Sequence, residues 1–238
     1  GKVMFIAKYR TSDGALLWNT FLGKTSGFSL ITSDESNNIY AVWQQDNDDR
    51  TRPCFLAKLN GDGILQWSRV LVPSNIGDPE DVYVDNNGNI FVLGISSSSW
   101  GKPTGEPIRE PAGGFDTSLA KFNADGVLLW DTFVGGTGDD VGTEIKIDEN
   151  GFLYLTGYSD STWGNPIFTF QQGMDGFLAK LEPDGALLWN TFVGGLTGDD
   201  YILDMEIGAD KNLYLAGGSE STWGNPANGF TAGEDGFV

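Results

Sequence analysis

Histidine is missing from all 238 residues, and a class of chemistry goes with it. No Ser-His-Asp or Cys-His relay, no histidine zinc site and no imidazole acid–base catalyst can be built. Any enzymatic reading is confined to carboxylates, Tyr, Lys or Arg. Cysteine occurs once, as Cys54, so an internal disulfide is ruled out. It lies in an apolar run and is expected to pack as a small hydrophobe. A secreted chain without disulfides fits bacteria better than animals. Basic residues are scarce, 14 against 33 acidic ones, for a net charge of −19. Such a chain repels phosphate backbones and anionic lipid, which excludes nucleic acid and membrane surfaces and favours cations or neutral sugars. No apolar run reaches membrane-spanning length, so membrane insertion is not expected, and the first residues do not read as a signal peptide. Helical periodicity with caps is absent too.

What the chain does have is repetition. "CFLAKLNGDGILQWSRVLV" from Cys54, "TSLAKFNADGVLLWDTFVGG" from Thr117 and "GFLAKLEPDGALLWNTFVGG" from Gly176 align closely, and "MFIAKYRTSDGALLWNTFLG" from Met4 adds one residue in its turn. Trp18, Trp67, Trp130 and Trp189 mark one position, 49, 63 and 59 residues apart. A second unit follows each copy: "DVYVDNNGNIFVLG", "EIKIDENGFLYLTG", "MEIGADKNLYLAGG" and the weaker "ITSDESNNIYAVW".

Each unit reads as a β-hairpin. In "FLAKLEPDGALLW" two apolar runs flank Pro-Asp-Gly, and "IKIDENGFLYL" has the same form. The "DNNG" and "DENG" stretches at 85–88 and 148–151 suggest calcium loops, but their alternating flanks make them hairpin turns. One repeat is then four short antiparallel strands, the pattern of a β-propeller blade. A parallel β-helix would need much shorter rungs. The expected fold is all-β: one β-propeller domain over 1–238, with repeats near 4–53, 54–116, 117–175 and 176–235 and a further one starting at 236–238. It is either a four-bladed ring closed by its N-terminal strands or part of a larger propeller. The outer-strand motif Leu-Leu-Trp-Asn-Thr-Phe is expected to be core.

"DGFLAKLEPDGALLWNTFVGGLTGDD" followed by "NLYLAGGSESTWGNP" resembles the bacterial seven-bladed β-propeller repeat (SBBP) family, found mostly in secreted or surface proteins. The resemblance covers nearly the whole chain. Residues 21–53 depart from it, with "GKTSG" for "GGTGDD" and "WQQDNDDRTRP" for the Trp-Gly-Asn-Pro loop. It implies that "EIKID" is the inner strand A, "FLYLTG" strand B, "FLAKL" strand C and "LLWNTFV" the outer strand D. It supplies no shared catalytic residues. In that order the A–B and C–D turns leave a blade on one face, and the B–C and D–A connections on the other.

The B–C loops carry "STWGNP" twice, at 161–166 and 221–226, and "SSSSWGKP" once. Trp100, Trp163 and Trp223 are candidate platforms for a sugar ring, with Asn165 and Asn225 as hydrogen-bonding partners. The alternative is that each Trp folds back as a plug. The acidic pairs Asp139/Asp140 and Asp199/Asp200, with Asp160 and Glu220 from neighbouring loops, are candidate Ca²⁺ ligands. Asp78, Glu80 and Asp81 form a looser group. The alternative for these acids is Asp side chains bonded to turn N–H groups. Asp81, Glu144 and Asp204 align on inner strands, with Lys146 and Glu206 two positions on, opposite Val82, Ile145 and Met205. Converging carboxylates would allow a glycosidase, but repeat-equivalent acids lack the contrasting environments that this chemistry needs.

The expected function is non-catalytic: an extracellular or bacterial cell-surface module for binding or adhesion, to a glycan or surface protein, through its loop face. A structural scaffold, or a polymer subunit self-associating through unclosed ends, is the second class.

Overall fold

The computed structural model describes residues 2–45, 47, 51–72, 78–97, 107–230 and 235–237. All the regular elements among them are strands. The chain divides into two compact units, Gly1–Val92 with Ala120–Leu129, and Leu93–Leu119 with Trp130–Val238.

In the first unit β1 (Val3–Tyr9) and β2 (Leu16–Lys24) form an antiparallel pair. A four-stranded antiparallel sheet follows, in the order β3 (Ser29–Ser33), β4 (Ile39–Gln44), β5 (Cys54–Leu59), β6 (Leu65–Val72). Met4 and Ile6, alternate residues of β1, pack on Ala41, Trp43, Ala57 and Leu59 of the two middle strands. Period-2 alternation puts those residues on one face, and Trp43 stacks on Phe55 at 5.1 Å.

The sheet β7 (Pro79–Val84), β8 (Ile90–Ser96), β9 (Asp116–Phe122), β10 (Leu128–Val134) has the same order and supplies residues to both units. The second unit adds β11 (Asp140–Ile147), β12 (Leu153–Ser159), β13 (Asp175–Leu181) and β14 (Leu187–Val193), again in sequence order. Then β15 (Asp200–Ile207) and β16 (Leu213–Ser219) pair, and β17 (Asp235–Phe237) lies beside β16. Four-stranded antiparallel sheets following one another in the chain are the blades of a β-propeller. They run A to D as expected. β1 and β2 form a sheet of their own, and it is β17, not β1, that pairs with β16.

In three repeats the marking tryptophan is a joint between blades. Gly63, Gly126 and Gly185 sit in the C–D turns with φ of +78°, +73° and +92°. A Cβ on them would fall 2.8, 2.8 and 3.1 Å from the rings of Trp18, Trp67 and Trp130 on the preceding outer strand. Glycine is needed twice over, for the left-handed backbone and for the ring lying against it. Trp18 also donates its Nε1–H to the Gly61 carbonyl at 3.2 Å.

Beyond these rings the outer-strand motif is only partly core, which corrects the expectation. Phe133 and Phe192 are buried, but Leu129 and Leu188 are exposed, as are Leu16, Leu17 and Phe21 on β2. The fourth strand is the edge of its sheet, so neighbours cover only part of it.

Candidate functional site

The B–C loops and D–A connections do come together, and the acidic residues are the reason. In the second unit Asp139 accepts the Phe115 N–H at 2.9 Å, while its own N–H goes to Asp160 Oδ1 at 2.9 Å. Asp140 accepts the Gly136 N–H at 2.7 Å and the Ser159 hydroxyl, and its N–H returns to the Phe115 carbonyl at 2.7 Å. One repeat later the pattern recurs. Asp199 accepts the Met174 N–H at 2.9 Å, its N–H goes to Glu220 at 3.2 Å, and Asp200 takes the Gly195 N–H at 3.0 Å and the Ser219 hydroxyl. Every one of the six candidate calcium ligands therefore accepts a backbone N–H, the anchoring role turn carboxylates commonly have. Among the described residues no group of three acidic or cysteine side chains is disposed to hold a metal ion.

The acids that sequence reasoning missed are Asp116 and Asp175, the first residues of β9 and β13, both fully buried. Asp116 Oδ1 and Asp140 Oδ2 lie 2.0 and 2.6 Å from the place a Cβ on Gly135 would occupy, so the two carboxylates face each other across a glycine. Burial pushes Asp140 up to about 6, against the pull of Ser159 and the Gly136 N–H. Burial likewise pushes Asp175 up to about 6, with the Asp200 charge adding to it. An "FD" or "MD" at the start of the C strands β9 and β13 was the available signal.

The first unit has a variant of this arrangement. Gln44 ends β4 where serine ends β12, and it donates to Asp78 at 2.8 Å. Burial pushes Glu80 up to about 7, with the Asp78 charge adding. Pro53 stands where the later repeats have Asp116 and Asp175; Cys54, next to it, is buried, and burial pushes its thiol up to about 12.

The tryptophan loops divide. Trp163 is only 4% exposed, edge-on to Phe177 and Phe192 with ring centres 5.3 and 5.7 Å away. It is the plug of the alternative reading and no sugar platform, because the rings beneath it use its whole surface. Asn190 fixes the loop by donating to the Trp163 carbonyl at 3.0 Å. Trp223 is half-buried, and Asn165 and Asn225 are exposed. Trp100 lies outside the described residues.

After Trp163 the loop turns back along the outer strand of its own blade. Ile167 donates its N–H to the Asn190 carbonyl at 2.9 Å, and Phe192 donates to the Phe168 carbonyl at 3.1 Å. The open edge of β14 is thereby covered. Beside this flap is a groove of about 600 Å³, within the range of about 300–1,000 Å³ usual for ligand pockets. Its walls include Phe168, Trp189, Phe192, Leu196 and Trp223, and Asp175 and Gly194 also line it.

The inner-strand carboxylates are held structurally. Glu144 accepts the Met205 N–H and pairs with Lys146 at 2.6 Å, while Val82, Ile145 and Met205 on the opposite side are buried. Asp81 accepts the N–H of Val82 at 2.7 Å.

Blades and loops together define a β-propeller repeat protein. No family model matches the chain. It is similar to an uncharacterized WD repeat-containing protein of Acanthamoeba polyphaga mimivirus, 28% identical over 182 residues. The match takes in 59% of this chain and 13% of that protein, so the chain spans about an eighth of the relative's length. WD repeats are themselves four-stranded propeller blades, which agrees with the fold. Among the described residues no helix is long and apolar enough to cross a membrane.

Proposed function

We propose that this chain is a non-catalytic propeller module that binds a partner through the face carrying its B–C loops and D–A connections. The reading rests on that face of the second unit, where loops and connections meet: the Asp139 and Asp199 N–H groups bond to Asp160 and Glu220, and Trp223 lines a groove. Asp139, Asp140, Asp160, Asp199, Asp200 and Glu220 on this face each accept a backbone N–H, and Glu144 is engaged by Met205 and Lys146, which favours recognition over carboxylate catalysis. The partner is a surface protein or glycan, the setting extracellular or a bacterial cell surface, and the repeat is of the SBBP kind. Adhesion is the role this combination suits.

The test is a panel of glycans and surface proteins offered to the chain and to Trp223→Ala, with calcium and again after chelation. The expected result is a bound partner that Trp223→Ala weakens and chelation leaves alone. Binding unaffected by Trp223→Ala would remove this face from the function. Silence across the panel, with concentration-dependent oligomers, would favour a scaffold or polymer subunit.

A further inference from the structure

The strand β7 opens on a peptide bond unlike those that open β11 and β15. Asp140 and Asp200, the anchoring aspartates of the later blades, are followed by Val141 and Tyr201. Asp78, which takes a side-chain hydrogen bond from the end of β4 as they do from β12 and β16, is followed by Pro79. Asp-Pro occurs nowhere else in the chain. The prolyl nitrogen belongs to a tertiary amide, and the secondary amine it becomes on cleavage is a strong base. Such a bond breaks once that nitrogen receives a proton and the aspartyl carboxylate attacks its own main-chain carbonyl.

Both requirements are met by groups around this bond. Gln44 is buried, and its Oε1 accepts the Ser26 hydroxyl at 3.1 Å, which orients the amide. Its Nε2 donates to Asp78 Oδ1 at 2.8 Å. A residue before proline is confined to extended backbone, so Asp78 is held in both main chain and side chain. Restraint of this kind turns a chance approach of nucleophile and carbonyl into a standing one. Pro79 is buried at the first position of β7. Next to it stands Glu80, whose carboxyl burial pushes up to about 7, with the Asp78 charge adding. Below that value Glu80 carries a proton it can give, beside a carboxylate that can attack. Cys54, the other titratable group that feels Asp78, is buried and kept as a neutral thiol. Asp81 is engaged by the Val82 N–H.

We propose that the chain cleaves itself between Asp78 and Pro79. Asp78 Oδ2 attacks the main-chain carbonyl carbon of its own residue and closes a cyclic anhydride. The bond from that carbon to the Pro79 nitrogen breaks, and its electron pair goes to nitrogen, which takes the Glu80 proton. Water then opens the anhydride and leaves Asp78 as a new C-terminus, while Glu80 regains a proton from solvent. Pro79 becomes a new N-terminus. Gln44 keeps hold of Asp78 and β7 stays paired with β8, so the pieces 1–78 and 79–238 remain together until unfolded. The loop face of the second unit is untouched, so this activity stands apart from partner binding.

The test is to incubate the purified chain over a range of pH, denature samples at intervals and weigh the fragments by mass spectrometry. Pieces 1–78 and 79–238 should accumulate in mildly acidic buffer, at a rate that falls as pH rises through 7 and Glu80 loses its proton. The Asp140–Val141 and Asp200–Tyr201 bonds should stay intact in the same samples. Chain kept unfolded in urea at the same pH should cleave about a hundredfold more slowly, since only the fold supplies the restraint and the acid. Glu80→Gln should slow the folded chain by about a hundredfold and flatten the pH profile. Pro79→Ala should stop the reaction. Absence of fragments, equal rates in folded and unfolded chain, or a Glu80→Gln rate equal to that of the parent would each overturn the proposal. Should a variant not fold, the parent chain's pH profile and the urea comparison decide by themselves.

Discussion

Ser-Thr-Trp-Gly-Asn-Pro occurs twice, and the two copies live in different surroundings. At 161–166 the tryptophan is buried on Phe177 and Phe192, the loop is tied by Asn190, and a Cβ on Gly164 would lie 2.5 Å from Asn190 Oδ1. At 221–226 the tryptophan is half-buried beside a groove, and a Cβ on Gly224 would meet nothing within 4 Å. The backbone is the same in both, with φ of +65° and +63° at the glycines. Identical residues thus build an identical turn, and at the first copy it is the Phe177 and Phe192 rings that bury the tryptophan. Local sequence sets dihedrals; packing partners from distant strands set burial.

Substitutions at matched positions break the comparison most directly. Trp163→Ala should lower stability by about 3–5 kcal/mol, the usual cost of emptying a buried aromatic site. Trp223→Ala should cost under about 1 kcal/mol, as surface changes do. Urea unfolding of the pair measures the difference, and equal losses would mean that both tryptophans are plugs. Gly164→Ala and Gly224→Ala share the left-handed penalty of about 1–2 kcal/mol. Only Gly164→Ala adds a clash with Asn190, for a further cost of about 1–3 kcal/mol. The gap between their melting temperatures therefore isolates packing from backbone strain.

The buried acids of these junctions sharpen the picture through pH. Asp140 and Asp175 are both raised from 3.8 to about 6 in the fold, so the folded state holds their protons more tightly than the unfolded chain does. Their contribution to stability is fully present below 3.8 and is lost as pH rises through 6. Melting temperature should rise as pH falls from 7 toward 4.5, and Asp140→Asn with Asp175→Asn should flatten that rise. A profile unchanged by the two substitutions would show that neither acid is desolvated.

The smallest effect belongs to the A–B turns. Gly88 and Gly151 have φ of +76° and +85°, but the matching residue of the last blade is Lys211, at +66°. Lys211→Gly relieves the left-handed strain and should stabilise by about 1 kcal/mol. Its exposed pairing with Glu149 offsets little of that gain. A melting temperature that falls instead would mean the ion pair outweighs the backbone.

The blades were legible because their signals are local and repeated. Alternating apolar runs, Asp-Gly turns and a recurring tryptophan predict four-stranded sheets, and the described strands keep that order. The meeting of the acidic pairs with Asp160 and Glu220 followed from strand order alone, since the B–C and D–A connections leave a blade on the same side. Their chemistry did not follow, because whether a carboxylate faces a backbone N–H or solvent depends on which chain segment lies opposite. Asp116 and Asp175 escaped notice for the same reason: a lone aspartate before a strand looks solvated until a sheet closes over it.

The sequence by itself determined the all-β class, the strand order, the turns and the absence of histidine chemistry, since each depends on residues near in the chain or on composition. Tertiary structure decided the rest: that Trp18, Trp67 and Trp130 are joints laid on glycines of the next blade, that Trp163 is a plug on Phe177 and Phe192, and that Asp116 and Asp140 face each other across Gly135. Each of those is a contact between residues fourteen or more positions apart, and residue type alone does not determine which surfaces will meet.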